Sequence, residues 1–170
     1  MKITPTAIGL LVALSACDDA AGPAPGDDVW SDAVRSLTLA NEGGGLAIKP
    51  PGSECNVGAA EYTLTVSDKK LDSVQCEAAS RGAPLLNVTR SQTLSEAEFA
   101  GLEPNLMLLK VVDSNECGAD KPAITLKVTT PAGTNEYRDS FYACIQDPRP
   151  MIDTNVLSQL DAKFRSLVTP

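Results

Sequence analysis

The sequence predicts an α+β fold, with an antiparallel β-sheet built from hairpins, two packed helices and two disulfides. Three observations carry that expectation. Residues 61–67 and 71–77 alternate apolar and polar side chains around a short turn-forming segment, and residues 124–129 alternate likewise before a turn that returns through Tyr137, Phe141 and Tyr142. Two other stretches, after Ser95 and after Asp153, repeat apolar residues every three or four positions behind a helix-capping side chain. Four cysteines, Cys55, Cys76, Cys117 and Cys144, fall in the same region.

The first strand is expected at 37–40, where Leu37 and Leu39 alternate with Thr38 and Ala40. Gly43, Gly44 and Gly45 then form a hairpin loop, residues 46–48 return as a short strand, and Pro50, Pro51 and Gly52 end it. No Lys-Ser/Thr pair follows the glycines, so they lack the mark of a phosphate-cradling loop. In the next hairpin a three-residue loop, 68–70, pairs Tyr62 with Cys76 and Leu64 with Val74, gathering the larger apolar side chains on one face. That register asks Lys70 for a left-handed backbone. Residues 84–89 read as a further strand.

Ser95 and Glu98 make a capping-box pattern that starts a helix at Glu96, with Phe99, Leu102, Leu106 and Leu109 on its apolar face. Pro104 disfavours helical geometry at Glu103, so the helix stops or kinks there before an apolar run over 106–112. In the acidic turn 113–118, Asp113, Asn115 and Gly118 occupy the first, third and sixth places of a calcium loop. Cys117 and Ile124 break the pattern at the fifth and twelfth, which leaves a solvated turn. Ile124, Leu126 and Val128 open the clearest hairpin, turning at Pro131 and Gly133 and returning through Tyr137, Phe141 and Tyr142, with a bulge expected in the return strand. After Pro148 and Pro150, Asp153 or Thr154 caps a last helix whose apolar stripe is Val156, Leu157, Leu160, Phe164 and Leu167.

The N-terminus carries an address. Lys2 precedes an eight-residue apolar run over 7–14, far short of the roughly 20 residues of a spanning helix. Leu14, Ser15, Ala16 and Cys17 resemble the lipobox read by bacterial lipoprotein signal peptidase, which implies a signal peptide over 1–16 and a lipidated Cys17. Residues 17–28 then form the anchor and a Pro/Gly/Asp tether, and 29–170 a single globular α+β domain. Multiple acyl chains would anchor the protein stably in the cell envelope, in the inner or the outer membrane.

The whole chain has a formal net charge of −8, and removing Lys2 and the four tether aspartates leaves 13 basic and 18 acidic residues, or −5. An acidic domain is a poor partner for nucleic acid. The chain contains no histidine, which excludes Ser-His-Asp and Cys-His catalysis and histidine-ligated zinc. No cofactor-binding motif or metal-ligand cluster is recognisable.

The segment Cys117-Gly118-Ala119-Asp120-Lys121-Pro122, the alternating strand after it, and Tyr137-Arg138-Asp139-Ser140-Phe141-Tyr142-Ala143-Cys144 resemble a pattern in uncharacterised bacterial lipoproteins of the myxobacterial type. The resemblance extends over about residues 36–168. It implies an envelope location and an α+β layout, and brings no activity or functional residue with it.

These readings converge on a non-enzymatic binding or scaffolding domain, held at a membrane by its lipid and acting on an envelope protein or ligand. An inhibitor of a secreted hydrolase, presenting the region of Pro84 or the turn at Ala132, is the alternative. Cys117 and Cys144 flank one hairpin and Cys76 ends another, so the expected bonds are Cys55 to Cys76 and Cys117 to Cys144. Trp30, Tyr62 and Tyr142 are the aromatic residues expected to be partly exposed.

Overall fold

The computed structural model describes residues 22–44, 49–114, 116–118, 121–145 and 147–169. The lipobox expected at 14–17 with Cys17, and the strand expected at 46–48, lie outside them. The strands are β1 (Ser36–Asn41), β2 (Ala60–Thr65), β3 (Lys70–Ala78), β4 (Leu85–Thr93), β5 (Val111–Val112), β6 (Ile124–Thr130), β7 (Gly133–Asp139) and β8 (Met151–Ile152). The helices are α1 (Glu96–Ala100), α2 (Glu103–Leu106) and α3 (Thr154–Val168). All eight strands join one sheet in the order β4-β3-β2-β1-β6-β7-β8-β5.

One face of that sheet is the core. Leu37, Leu39, Tyr62, Leu64, Leu71 and Leu126 alternate onto it, and α3 lays Leu157, Leu160 and Phe164 across them, all fully buried. The Phe164 ring packs against Tyr62 with centroids 5.6 Å apart. α3 begins at the Asp153 carboxylate, which accepts from the amides of Asn155 and Val156, satisfying two of the donors that a helix start leaves open. The opposite face carries polar side chains: the hydroxyls of Thr38 and Thr63 meet at 3.1 Å, and Lys127 pairs with Glu136 at 2.9 Å.

The sheet departs from the all-antiparallel expectation at one place. β7 and β8 run parallel, because the chain leaves β7, loops back over it through the second disulfide, and re-enters the sheet beside it at Met151. β5 and β8 contribute two residues each, too few to leave an alternating pattern in the sequence.

The β2–β3 hairpin takes a register different from the expected one. Leu64 lies opposite Leu71 and Tyr62 opposite Ser73, around a four-residue loop over 66–69 in which the Lys69 amide donates to the Val66 carbonyl. The left-handed residue is therefore Lys69, with φ 49°, and not Lys70. Val74 is turned outward, while Ser73 and Gln75 face the core. Gln75 is accommodated there because its amide donates to the Tyr62 hydroxyl at 2.9 Å and accepts from Arg90 at 2.8 Å.

Other differences are local. The expected bulge in β7 is absent, since the β6–β7 ladder runs unbroken from Thr125 opposite Arg138 to Thr130 opposite Gly133. The helix after Ser95 has its capping box, but it ends at Gly101. Pro104 sits in the first turn of a second helix, α2, where its missing amide proton costs nothing. A third helix thus joins the two expected. At the N-terminus the chain engages the domain before Val29: Gly26 donates to the Val111 carbonyl, Val111 donates to Asp27, and Lys110 pairs with Asp28 at 2.7 Å. No helix among the described residues is long and apolar enough to cross a membrane.

Candidate functional site

Two disulfides are present. Cys55 is joined to Cys76, and Cys117 to Cys144. The first pins the loop before β2 onto β3. The same loop also grips the edge strand β4, where Glu54 donates its amide to Leu85 and receives the Asn87 amide on its carboxylate. The second disulfide ties the segment before β6 to the segment after β7, and it is at this end that the sheet carries a cavity.

The cavity has a volume of about 500 Å³ and opens on the sheet face that α3 leaves uncovered. Its floor comes from β6 and β7, as Thr125 and Arg138 project from that face opposite each other. Glu42, Pro122, Ala123, Tyr142 and Ile145 wall it. Alternation explains the placement of Arg138: Tyr137 points into the core beside Leu126, so its neighbour must point away.

Although it faces outward, Arg138 is only 8% exposed, because the chain after β7 folds back over it. Its guanidinium donates to the Tyr142 carbonyl at 2.6 Å and to the Arg149 carbonyl at 3.2 Å. The returning segment is held in turn by a cross-link and by close packing. Cys117 is bonded to Cys144 and pairs its backbone with Tyr142 in an isolated antiparallel bridge, Gly118 donates to the Phe141 carbonyl at 2.9 Å, and the Tyr142 hydroxyl donates to the Lys121 carbonyl. Lys121 stands 4.5 Å from the centre of the Phe141 ring, a cation–π contact. Gly118 lets the Phe141 ring approach: a Cβ there would lie 1.9 Å from the nearest ring atom.

Two of the acids of the cavity, Asp147 and Asp139, are held by neighbouring groups. Arg149 embraces Asp147 through Nε and a terminal nitrogen at 2.9 and 2.6 Å, and these bonds pull the Asp147 carboxyl down to about 2. Asp139, 2% exposed, accepts from the Phe141 amide at 2.8 Å and from the Thr154 hydroxyl, tying the end of β7 to the start of α3. Among the described residues no group of three or more His, Cys, Asp or Glu side chains is placed to hold a metal ion.

The three aromatic residues picked from the sequence fall in different settings. Tyr62 is fully buried beneath α3, which corrects the expectation of partial exposure, and burial pushes its hydroxyl pKa up. Trp30 is half-buried against the core edge. Tyr142 is half-buried at the cavity wall. Sequence reasoning missed Arg138 and Arg149. The signal for Arg138 was its position in the alternation of β7, one residue after a core tyrosine, in a strand that returns beneath a disulfide-held loop.

Comparison of the chain with protein-family models, with curated proteins and with solved structures gives no match.

Proposed function

We propose that this protein is a lipid-anchored envelope protein whose domain binds a ligand or partner without chemical turnover, at the cavity beside Cys117 and Cys144. The observation that supports binding is the cavity itself: Arg138 is buried at its floor, and the walls are fastened by a disulfide, so the site is organised before anything enters. Two disulfides accord with an exported protein in an oxidising compartment, and the lipobox at 14–17 supplies the anchor.

Cell fractionation with palmitate labelling tests the anchor. Cys17→Ser is expected to abolish the label and move the protein to the soluble fraction; a variant that keeps both label and membrane partition refutes it. The absence of turnover is tested on the purified protein with peptide, ester and peptidoglycan substrates. Hydrolysis that a single Asp, Glu or Ser substitution abolishes without unfolding the protein would overturn it.

A further inference from the structure

We propose that the cavity binds an amphipathic organic monocarboxylate, with its carboxylate on Arg138 and its apolar body against Tyr142 and Ile145. The inference rests on the binding reading above and names the ligand class of that same site.

The buried guanidinium selects an anion. A guanidinium this buried normally meets a carboxylate or carries a full set of acceptors. Arg138 has two carbonyl acceptors, and among the described residues it forms no ion pair, the nearest acidic influence being Asp147, which Arg149 already holds. Of the three acids that line the cavity with it, Asp147 is bonded to Arg149 while also feeling the Arg138 charge, Asp139 accepts from the Phe141 amide and the Thr154 hydroxyl, and Glu42 stands exposed at the rim. A guanidinium edge matches the two oxygens of a carboxylate.

The surrounding charges limit the ligand to a single one. Lys121, Arg138 and Arg149 face Glu42, Asp139 and Asp147 around the cavity, a formal sum of zero. Glu42 and Asp147 would repel the second charge of a phosphate dianion, and among the described residues Arg138 is the buried cation placed at the floor to meet the first.

The walls ask for an apolar body. Pro122, Ala123, Tyr142 and Ile145 supply the apolar surface, and Ile145 is 55% exposed immediately after Cys144. An isoleucine held in water beside a disulfide gains by burial against a ligand.

Titration calorimetry of the full-length protein with benzoate, benzamide, benzylamine and inorganic phosphate tests the assignment. Benzoate is expected to bind with a Kd below about 1 mM, and the other three at least about tenfold more weakly. Arg138→Gln should weaken benzoate at least about tenfold. Because Arg138 also ties down the overlying segment, Ile145→Asp provides a second variant at an exposed position: about the same loss is expected with an unchanged unfolding midpoint. An N-acetyl tripeptide with a free C-terminus is compared with benzoate. The tighter binder assigns the carboxylate to a peptide end or to a small acid, and either result supports the site.

The proposal is overturned if benzamide or benzylamine matches benzoate, if phosphate binds more tightly, if both variants bind benzoate as the parent does, or if no saturable benzoate binding is found below about 10 mM. Failure of the envelope reading is a separate result. A Cys17→Ser variant that keeps both the palmitate label and membrane partition, with carboxylate binding retained, removes the anchor and leaves the ligand assignment standing.

Discussion

Removing the two disulfides one at a time should cost nearly equal stability and leave the native fold in place. The bonds close loops of 21 and 27 residues. In the chain-entropy description, loops of that length restrict the unfolded chain by about 3.3 and 3.5 kcal/mol at 25 °C. Each bond also has local substitutes in the folded state. Without Cys55 and Cys76, the first loop is still held to β4 by the bonds of Ser53 and Glu54. Without Cys117 and Cys144, Gly118 still donates to Phe141, and Tyr142 to Lys121. The double variants Cys55→Ala/Cys76→Ala and Cys117→Ala/Cys144→Ala should therefore keep their near-ultraviolet circular dichroism and lose about 3 to 4 kcal/mol in urea unfolding, or roughly 10 °C in Tm for a domain of this size. Reducing both together should remove about 7 kcal/mol, comparable with the whole stability of a typical domain, and unfold much of the population. A loss below about 1 kcal/mol in either variant would refute the loop-entropy reasoning. Collapse of the near-ultraviolet signal in the second variant would show that its bond holds the native loops rather than restricting the unfolded chain.

Three further outcomes follow from particular contacts. Asp161 on α3 is pushed up in pKa by burial, only partly offset by Arg165 at 3.8 Å and Asn41, and its Oδ1 has no hydrogen-bond partner. A raised folded-state pKa means that stability falls as pH rises from the ordinary aspartate value through the folded one, so Asp161→Asn should gain about 1 kcal/mol at pH 7 and nothing near pH 3. Lower stability of that variant at pH 7, read by urea unfolding, would show the Arg165 pair to outweigh burial. Asp147 behaves oppositely: held at about 2 by Arg149 rather than at 3.8, its contribution is present above about pH 4 and lost as pH falls through 2. Solvent screening reduces this to ~1 kcal/mol, and Asp147→Asn should flatten the acid limb of stability measured between pH 5 and 2 by that amount. Finally, Gly118→Ala must displace the Phe141 ring, and is expected to cost about 2 kcal/mol in the same unfolding assay while loosening the cavity wall. An unchanged midpoint would place Phe141 elsewhere in solution.

What the sequence determined by itself were the helix starts and the clearest strand, which near neighbours set. The Ser95–Glu98 box starts α1, the Asp153 carboxylate starts α3, and the alternation of Ile124, Leu126 and Val128 makes β6, because caps and periodicity act within a few residues. The disulfide pairs were legible too, since cysteines at the ends of adjacent strands arrive close together. Tertiary structure decided what depends on distant partners. Counting apolar residues favours Val74 and Cys76 as the core face of β3, but Gln75 and Ser73 take it, with Gln75 held by the Tyr62 hydroxyl and by Arg90 on the next strand. β5 and β8 exist only because other strands are there to pair with them, and the parallel β7–β8 step needs the loop that the second disulfide closes. The cavity belongs to this second group. Arg138 reads as one more outward-facing charge on a strand until the chain beyond Asp139 turns back, covers it with the carbonyls of Tyr142 and Arg149, and leaves a buried cation at the floor of an open pocket.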